Sequence, residues 1–491
     1  MADKVNGQSA AVASMAADWP MLEALMGGTR AMRAAGEKLM PRFTLEHKDD
    51  YAARVAVSIL FPAYRRTISV MVGKPFAKPV TLGEDVPPQI AGANEEEGWA
   101  EDIDREGVNL HTFAAEMFGE ALAYGLAGIL VEAPKPPASA SQGMTRAVEK
   151  GVGMRPYWVR IKHHQILGWR DEVQNGKHVL TQLRLKETMV EPDGEWGEKT
   201  VERVRVLTPG AWALYEKINA TAAGEDWVKV DEGLTGLDVI PFVPLYGWRE
   251  GFMRGSPPLL DLAFMNVKHW QDSSDQSDGV MFARKRMVVM IGGGVDAEGN
   301  PIVASSNSVT SLPVGGDVKI VQGSAENVKI GRDELAALEE QMIQTGAELL
   351  TKKPGDRSAT EAANDADANK SDLQRITETF EDSLDQALYL TALFAGLPDG
   401  GHAELFKEFG VSIDAVASAQ VLRDMRMAGD LSFETYFAEL QRRGYIAPDV
   451  DAQAERERID EEGPALGTMT DPASDPADPV DPASDPNAVA A

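Results

Sequence analysis

The sequence predicts an α+β fold, in which amphipathic helices are combined with an antiparallel β-sheet. Between Tyr157 and Val230 apolar and polar residues alternate, which places Leu183 and Leu185 on one face of a strand and Arg184 and Lys186 on the other. Before and after this segment, apolar residues recur at the spacing of helix turns. Helices and antiparallel strands that occupy separate parts of a chain are typical of α+β proteins.

The composition limits the class of protein. The 491 residues suffice for roughly two to four domains. Cysteine is absent, which excludes disulfides and thiolate metal sites. No apolar run approaches the roughly 18 residues of a membrane span. We therefore expect a soluble protein that is made in the cytoplasm.

The charge of the chain is strongly acidic. A net charge of −29 arises from 77 acidic and 48 basic residues. Proteins that grip nucleic acid use patches of lysine and arginine, so composition alone argues against tight DNA binding. An acidic surface that keeps the protein soluble is the simplest interpretation.

The N-terminal part is predicted to be mainly helical. Residues 1–20 are small and polar, and we expect them to be poorly ordered. A helix from Met21 to Met40 is weakened by its glycines, and a stronger helix follows from Lys48 to Val72. Pro62 must kink or divide this second helix. A third helix is predicted from Asp102 to Tyr124.

Strands dominate the next segment. Gly128–Val131 reads as a buried strand, and residues 134–154 form a linker rich in proline, serine and glycine. The alternating segment that follows contains turns such as Pro192–Gly194, which predicts an antiparallel meander with one solvated face. Ile240–Trp248 then leads back to helical sequence.

Residues 256–395 have an order of elements around which the rest of the chain can be arranged. Two prolines after Ser256 predict the start of a helix. Met287–Ile291 and Val318–Gln322 are β-rich, and a second helix is predicted from Arg332 to Leu350. The apolar stripe of the first helix would consist of Leu260, Phe264 and Val267, and that of the second of Leu335, Leu338, Met342 and Leu349.

A third helix of this stretch follows a basic turn. Lys352–Gly355 ends the second helix, and Ser358 and Glu361 have the spacing of a capping box. The stripe of this long acidic helix would be Leu373, Ile376, Phe380 and Leu384. A helical pair at Val411–Met427 and Ser432–Arg443 comes next. Repeated Asp-Pro then predicts a disordered tail.

No catalytic motif is present. The chain lacks a Walker motif, His-Glu-x-x-His and Gly-x-Ser-x-Gly. His163 and His164 would point to opposite faces of a strand, which favours surface polarity over metal binding. Gly292–Gly294 is read as a flexible hairpin and not as a phosphate cradle. We therefore expect no enzyme activity, no catalytic or metal-binding residues and no cofactor.

The element order, together with the phrase Gly255-Ser256-Pro257-Pro258-Leu259-Leu260, resembles that of the portal proteins of tailed bacteriophages over roughly residues 45–450. The resemblance implies a portal-like α+β fold with a helical and antiparallel-β wing, a two-helix stem, a small β-rich clip, a long tunnel helix and a disordered acidic tail. The implied domains are an N-terminal extension (1–44), the wing (45–255), the first stem helix (256–285), the clip (286–330), the second stem helix (331–350), the tunnel loop (351–357), the tunnel and wing helix (358–395), a C-terminal helical region (396–450) and the acidic tail (451–491).

The resemblance also implies a function. A portal protein forms a homo-oligomeric ring, of twelve copies in this family, at one vertex of the capsid, and double-stranded DNA passes non-specifically through it during packaging and ejection. The implied partners are the terminase large subunit at the clip, the major capsid or scaffolding protein at the wing, and a head-to-tail adaptor; no membrane is involved. The protein would be assembled in the host cytoplasm and reside in the virion. An acidic channel wall would let DNA slide.

Two groups of site residues follow from the resemblance. The tunnel loop would bring Lys352, Lys353 and Arg357 close to passing DNA, although the two lysines also suit the negative end of the preceding helix dipole. The acidic channel or intersubunit surface would consist of Asp272, Asp275, Asp278, Glu361, Asp365 and Asp367. Two alternatives stay open: another ring-forming adaptor of the head-to-tail junction, and a hydrolase whose active site is dispersed along the sequence.

Overall fold

The computed structural model describes most of the chain in two units, which divide between Gly410 and Val411. The described residues are 4–93, 96–134, 154–221, 224–284, 287–291, 317–321, 325–348, 371–407, 415–442, 445–446 and 450–462. Helices and strands are mixed, as the sequence predicts. None of the helices in these ranges combines the length and the apolar composition that a membrane span requires.

The described helices, in chain order, are α1 (Ala10–Met15), α2 (Trp19–Ala35), α3 (Lys48–Val57), α4 (Ala63–Gly73), α5 (Pro88–Ala91), α6 (Leu110–Tyr124), α7 (Leu260–Arg284), α8 (Ala325–Glu348), α9 (Asp372–Ala395), α10 (Ala415–Ala428), α11 (Phe433–Arg442) and α12 (Ala452–Glu462). Short 3-10 turns occur at Gly36–Lys38, Trp99–Asp102 and His163–Gln165.

The described strands are β1 (Thr81–Leu82), β2 (Gly92–Ala93), β3 (Glu96–Glu97), β4 (Leu126–Glu132), β5 (Tyr157–Ile161), β6 (Ile166–Gln174), β7 (Lys177–Asp193), β8 (Gly197–Thr208), β9 (Ala211–Thr221), β10 (Gly224–Leu234), β11 (Phe242–Tyr246), β12 (Trp248–Gly251), β13 (Arg254–Ser256), β14 (Met287–Ile291), β15 (Asp317–Val321) and β16 (Ala403–Glu404).

The predicted meander is a five-stranded antiparallel sheet. Its strands lie side by side in chain order, from β6 to β10. Leu183 and Leu185 are fully buried on one face, as their alternation with Arg184 and Lys186 predicts. The β7–β8 turn includes Gly194 at φ +79°, a backbone conformation that glycine adopts without steric cost.

A second, three-stranded sheet lies in the core of the first unit. Its middle strand is β4, which pairs with β11 on one side and β5 on the other, so it is buried along nearly its whole length. At Gly128, a side chain would meet the ring of Phe242, and this position therefore requires glycine. Trp158 of β5 donates from Nε1 to the hydroxyl of Thr391 in α9 at 2.7 Å, which joins the sheet to that helix.

The N-terminal residues are more ordered than the sequence predicts. The hydroxyl of Ser9 caps α1, Val12 is fully buried, and Arg184 of β7 donates to the carbonyl oxygen of Val5. The expectation of a poorly ordered segment 1–20 is thus wrong for its described part. The small and polar residues of this segment give no local sign of the long-range hydrogen bonds that hold it.

The next helices begin and end where specific residues require it. The prediction that Pro62 divides the second helix is confirmed, because α3 ends at Val57 and α4 starts at Ala63. Gly28 interrupts α2 with φ +74°. The helix predicted from Asp102 starts only at Leu110, where the side chain of Asn109 accepts the N–H of Thr112 at 2.9 Å.

Two element boundaries in the central stretch differ from those predicted. Strands β14 and β15 pair antiparallel, with Met287 opposite Val321, and α8 then begins at Ala325, before the predicted Arg332. The third helix does not run unbroken from Ser358, because Ser371 is extended at φ −69° and ψ 156° and forms a capping box with Gln374 at the start of α9. Residues 349–370, and with them Ser358 and Glu361, lie outside the described residues.

Helix α9 is a core helix along its described length. Its predicted stripe of Leu373, Ile376, Phe380 and Leu384 is confirmed as buried. Glu381 is buried as well, because it accepts the N–H of Leu405 and the ammonium group of Lys407. The acids of this helix are therefore not all solvated, and at least this one stabilises the segment that follows the helix.

The boundaries near the C-terminus also differ from the prediction. Strand β16 pairs with β1, so residues 396–407 belong to the first unit and not to the C-terminal helical region. The predicted helical pair is confirmed as α10 and α11. The charged start of the acidic tail, which is predicted to be mostly disordered, forms α12 at Ala452–Glu462. Residues 463–491 lie outside the described part of the chain.

Candidate functional site

The candidate site is the helical hairpin formed by α7 and α8. Gln276 of α7 donates from Nε2 to the carbonyl oxygen of Val328 at 2.6 Å, and seven residues earlier Nε2 of His269 lies 3.0 Å from Oε1 of Glu339. The residue numbers of the partners in α8 fall from 339 to 328 as those in α7 rise from 269 to 276, so the two helices are antiparallel. At Gly331 a Cβ atom would clash with Oε1 of Gln276, so glycine permits this close approach.

Asn266 fixes the first half of α7 to the N-terminal helices. Its Oδ1 accepts the backbone N–H of Tyr64 at 3.0 Å, and its Nδ2 donates to the carbonyl oxygen of Phe61 at 2.8 Å. Tyr64 lies in the first turn of α4, where the helix itself provides no acceptor for the N–H. The Tyr64 hydroxyl donates to the carbonyl oxygen of Ala123 at 2.7 Å, and burial raises the pKa of this phenol. This amide side chain thus bonds backbone groups on both sides of Pro62, while Arg33 and Thr29 bond those of Ser58 and Leu60.

Arg54 fixes the second half of α7 to α3. Its Nε and Nη2 each donate to one oxygen of Glu46 at 2.8 Å, and the side chains of these two residues are only 8% and 9% exposed. Nη1 reaches Oγ of Ser274 at 3.3 Å and Oδ1 of Asp275 at 3.4 Å. The guanidinium also lies 4.2 Å from the centroid of the Phe43 ring. The hydrogen bond from Arg54 lowers the pKa of Glu46.

Three predicted acidic residues lie within the described part of the chain. Desolvation raises the pKa of Asp275, the charges of Asp272 and Asp278 add to that effect, and Arg54 opposes it. Asp272 forms a surface ion pair with Lys268 at 2.7 Å, and Asp278 is exposed. The ion pair of Asp275 with Arg54 is a contact within the chain, whereas Asp278 faces solvent. The other predicted site residues, Lys352, Lys353, Arg357, Glu361, Asp365 and Asp367, lie outside the described residues.

Both helices of the hairpin expose apolar side chains. The predicted stripe of α7 is wrong at Phe264, because its buried face includes Leu262, Ala263 and Trp270. In α8, Met342 and Gly346 are the buried residues among those whose burial the structure describes, while Leu335 and Leu338 are half-buried. The large apolar residues that are two-fifths exposed or more are Phe264, Met281, Phe282, Ile330 and Ile343. Exposed apolar side chains also occur on the meander, for example at Val190, Trp196 and Leu234, so the hairpin is one of several described surfaces with such residues.

The sequence pattern predicts the wrong local structure for His163 and His164. His163 and His164 lie in a 3-10 turn and not in a strand, and His163 is 3% exposed, so surface polarity is wrong for it. Its Nδ1 lies 2.6 Å from Oε1 of Glu120 and its Nε2 lies 3.0 Å from Oε1 of Glu23. The partners come from α2 and α6, far away in the chain, so the local sequence carries no signal of this cluster. Asn266 and Arg54 were missed for the same reason.

Comparisons with known proteins identify the same stretch of the chain. A family described as a domain of unknown function (DUF4055) matches residues 258–395, which span the hairpin and α9. No curated protein matches the chain. A chain in "Neck of native GTA particle computed with C12 symmetry" is similar at 13% identity and a TM-score of 0.36, over 77% of this chain and 89% of that one.

A chain in "Virion of native gene transfer agent (GTA) particle" is similar at 14% identity and a TM-score of 0.34, over 82% of this chain and 95% of that one. Both TM-scores lie below 0.5.

Proposed function

We propose that the protein is the portal protein of a tailed-phage-like particle, a ring at one capsid vertex through which double-stranded DNA enters and leaves. The observation that carries the proposal is the antiparallel hairpin of α7 and α8, which is joined through the β14–β15 pair and exposes apolar side chains. At about 1.5 Å per residue, the 25 residues of α7 extend about 37 Å, a length suited to a channel wall.

The exposed apolar residues of the hairpin support self-association. Phe264 and Ile343 are each at least half exposed in the single chain, although both lie on helices that are otherwise well defined. Neighbouring copies in a ring would bury such side chains, with a gain of about 25 cal/mol per Å² of apolar surface removed from water. Repeated head-to-tail contacts close into a ring when the rotation between copies permits it.

The charge of the chain supports a conduit in preference to a DNA clamp. Every copy would add its net charge of −29 to the ring. A wall with this charge repels phosphate groups and lets the duplex slide, whereas a clamp would displace counterions with clustered cations. The basic turn Lys352–Arg357 would then supply transient, sequence-independent contacts with the DNA backbone.

The remaining parts of the chain would bind the other components of the particle. We assign the β14–β15 region to docking of the terminase large subunit, which would supply ATP hydrolysis. The meander β6–β10 and the helices near it would contact the capsid or scaffolding protein. We also propose that the protein has no enzyme activity of its own. Nuclease and ATPase assays on the purified protein test this last point, and turnover that follows the protein through purification would contradict it.

Electron microscopy together with light scattering tests the ring. The purified protein, at micromolar concentration in moderate salt, should form rings of one size with an axial hole. A mass equal to one chain, with no rings in the images, would overturn the proposal.

A pair of matched variants tests whether the hairpin forms the interface between copies. Ile343→Asp changes a side chain of α8 that is 66% exposed, and Val190→Asp changes one of β7 that is 57% exposed. Neither substitution places a charge in the core. We expect Ile343→Asp to reduce the ring population at least tenfold while far-UV circular dichroism stays unchanged, and Val190→Asp to leave the rings intact. Equal effects of both variants would count against the hairpin.

A further inference from the structure

We propose that Glu23, His163 and His164 form a binding site for a divalent transition-metal ion of the Zn²⁺ type, with Glu120 as the residue that orients His163. One ligand atom from each of the first three residues lies within 4.8 Å of the others. The proposal does not depend on the portal function, because its residues lie in α2, α6 and the turn before β6 and none belongs to the hairpin.

The distances fit one ion. Imidazole nitrogen and carboxylate oxygen bind Zn²⁺ at about 2.0 to 2.2 Å, so two ligands of a tetrahedral site are about 3.4 Å apart. Nε2 of His163 and Oε1 of Glu23 are 3.0 Å apart. Glu23 and His164 are both exposed, and the three ligand atoms lie within 4.8 Å of one another, so rotations of these two side chains would be needed to reach that spacing. Solvent would reach a fourth position.

The surroundings of His163 match those of a metal-bound histidine. Metal-binding imidazoles generally donate their second ring N–H to a carboxylate or carbonyl group, which sets the tautomer and the orientation of the ring. Glu120 supplies this carboxylate at 2.6 Å from Nδ1. Tyr124 stacks on the imidazole with the ring centroids 3.6 Å apart, and Trp19 contacts it edge-on at 5.0 Å. Nε2 is thereby held towards Glu23.

A simple ion pair accounts less well for the cluster. Both nitrogens of His163 face carboxylates, and a neutral imidazole has only one N–H to donate. With Nδ1–H donated to Glu120, the lone pair of Nε2 faces an oxygen of Glu23, and a cation between these two atoms would bind both. A bound metal ion satisfies Glu23, His163 and His164 together. We infer that the ion cross-links α2 to the turn that precedes the meander.

Titration of the metal-free full-length protein tests the site. After EDTA treatment and dialysis, Zn²⁺ is added in a calorimeter in the presence of millimolar Mg²⁺, which occupies the purely carboxylate sites of this acidic chain. We expect about one Zn²⁺ per chain and a rise in the melting temperature. Co²⁺ as a second probe should give visible absorption bands of a four-coordinate site.

Variants of the exposed ligands distinguish a specific Zn²⁺ site from non-specific Zn²⁺ binding to the acidic surface. Glu23→Gln and His164→Ala should each weaken Zn²⁺ binding at least tenfold, and both should fold, because neither side chain is buried. Glu120→Gln should weaken binding by about 10- to 100-fold, as expected for a carboxylate that orients a ligand.

The matched control is His178→Gln. His178 also contacts a carboxylate, that of Asp171, at 2.6 Å, but the described residues bring no third ligand to this pair. We expect unchanged Zn²⁺ binding. The proposal is overturned if the parent protein binds no Zn²⁺ above the buffer baseline, if Glu23→Gln with His164→Ala binds as well as the parent, or if His178→Gln loses as much affinity as the ligand variants.

Discussion

Single buried side chains determine how the central helices attach to the rest of the first unit. Arg54 is the clearest case, because its guanidinium connects α3, the loop that contains Glu46 and the acidic part of α7. A buried cation needs such a set of partners, since removal from water costs several kcal/mol unless hydrogen bonds replace the lost hydration. The same contacts explain why Asp275, one of six acids predicted from the sequence for the channel or intersubunit surface, is tied to its own chain.

We expect Arg54→Met to lower the free energy of unfolding by about 3 to 5 kcal/mol, because the Glu46 carboxylate would be left buried without its partner. Urea denaturation of purified protein measures this loss. The control is Arg332→Met, which removes an arginine that is 72% exposed and, among the described residues, pairs with the neighbouring Asp333. That change should cost less than about 1 kcal/mol. Arg54→Met with Glu46→Gln should recover part of the loss, and a loss no larger than that of the control would contradict the assignment.

The pair His402–Asp85 makes stability depend on pH. The hydrogen bond with Asp85 raises the pKa of His402, and the same bond lowers the pKa of Asp85. The histidine part of this stabilisation is complete below the ordinary value near 6.5 and is lost as the pH rises through the raised pKa. The aspartate part is present above the ordinary value near 3.8 and is lost as the pH falls through the lowered pKa. The pair therefore stabilises the fold most between these two ordinary values.

His402→Gln should accordingly lower the melting temperature more at pH 5.5 than at pH 8.5. Scanning calorimetry of the parent and the variant at both pH values measures the difference. The control is His111→Gln, because the described residues offer no hydrogen-bond partner to Nδ1 of His111 and no carboxylate is paired with it there. If His402→Gln has the same effect at the two pH values, the ion pair does not form in solution.

At the scale of elements, the break at Pro62 is bridged by a side chain from a distant helix. Pro62 ends α3 and leaves the N–H of Tyr64 without a partner in its own helix, and Asn266 supplies the acceptor from α7. The start of α9 is instead capped locally, by the side chains of Ser371 and Gln374. The position of α7 relative to α4 is thus determined by the hydrogen bonds of one fully buried amide.

Asn266→Ala should lower the free energy of unfolding by about 1 to 3 kcal/mol, because it leaves the buried N–H of Tyr64 without an acceptor, whereas the carbonyl oxygen of Phe61 keeps the N–H of Ala63. Thermal or urea denaturation gives the value. Gln271→Ala provides the control on the same helix, because within the described part of the chain the half-buried Gln271 side chain donates one hydrogen bond, to the carbonyl oxygen of Leu39. Its cost should be about 1 kcal/mol. Equal costs for the two variants would show that Asn266 does not hold α7.

At the scale of the whole molecule, the proposed function includes contacts with DNA from Lys352 and Lys353, which lie outside the described residues. Lys352→Ala with Lys353→Ala should leave ring formation unchanged, since exposed charges at a helix end contribute under about 1 kcal/mol each. The amount of DNA packaged or retained should fall, and by the same factor for any sequence, because phosphate contacts carry no sequence information. Packaging assays with two unrelated DNAs measure this.

The charge-matched control for that experiment is Lys177→Ala with Lys199→Ala, which removes two lysines from the meander. Packaging should match the parent. Loss of rings in the Lys352 and Lys353 variant would show that these lysines stabilise the fold or an interface. Normal ring assembly, DNA packaging and DNA retention in this variant would contradict a role of the two lysines in contacting DNA.

Local patterns in the sequence were sufficient for the mixed α and β fold and for most elements. Alternation identified the meander, and helical spacing identified α9 and its buried face, because each pattern reflects the repeat of its own backbone. The division at Pro62 was predictable for the same local reason. Helix starts were less predictable, since Asn109 and Ser371 are recognised as caps only when the hydrogen bonds of the first turn are known.

The tertiary structure decided everything that depends on partners far apart in the chain. The burial of Arg54, the bridge made by Asn266 and the carboxylates that surround His163 join residues separated by 43 to more than 200 positions. No local period encodes such encounters. Packing against neighbouring elements likewise decided which face of α7 is buried. Phe264, which the predicted stripe places on the buried face, is half exposed. The sequence by itself determined which elements form, because their patterns are local; the sites they build were decided by packing, because a site exists only where distant side chains meet.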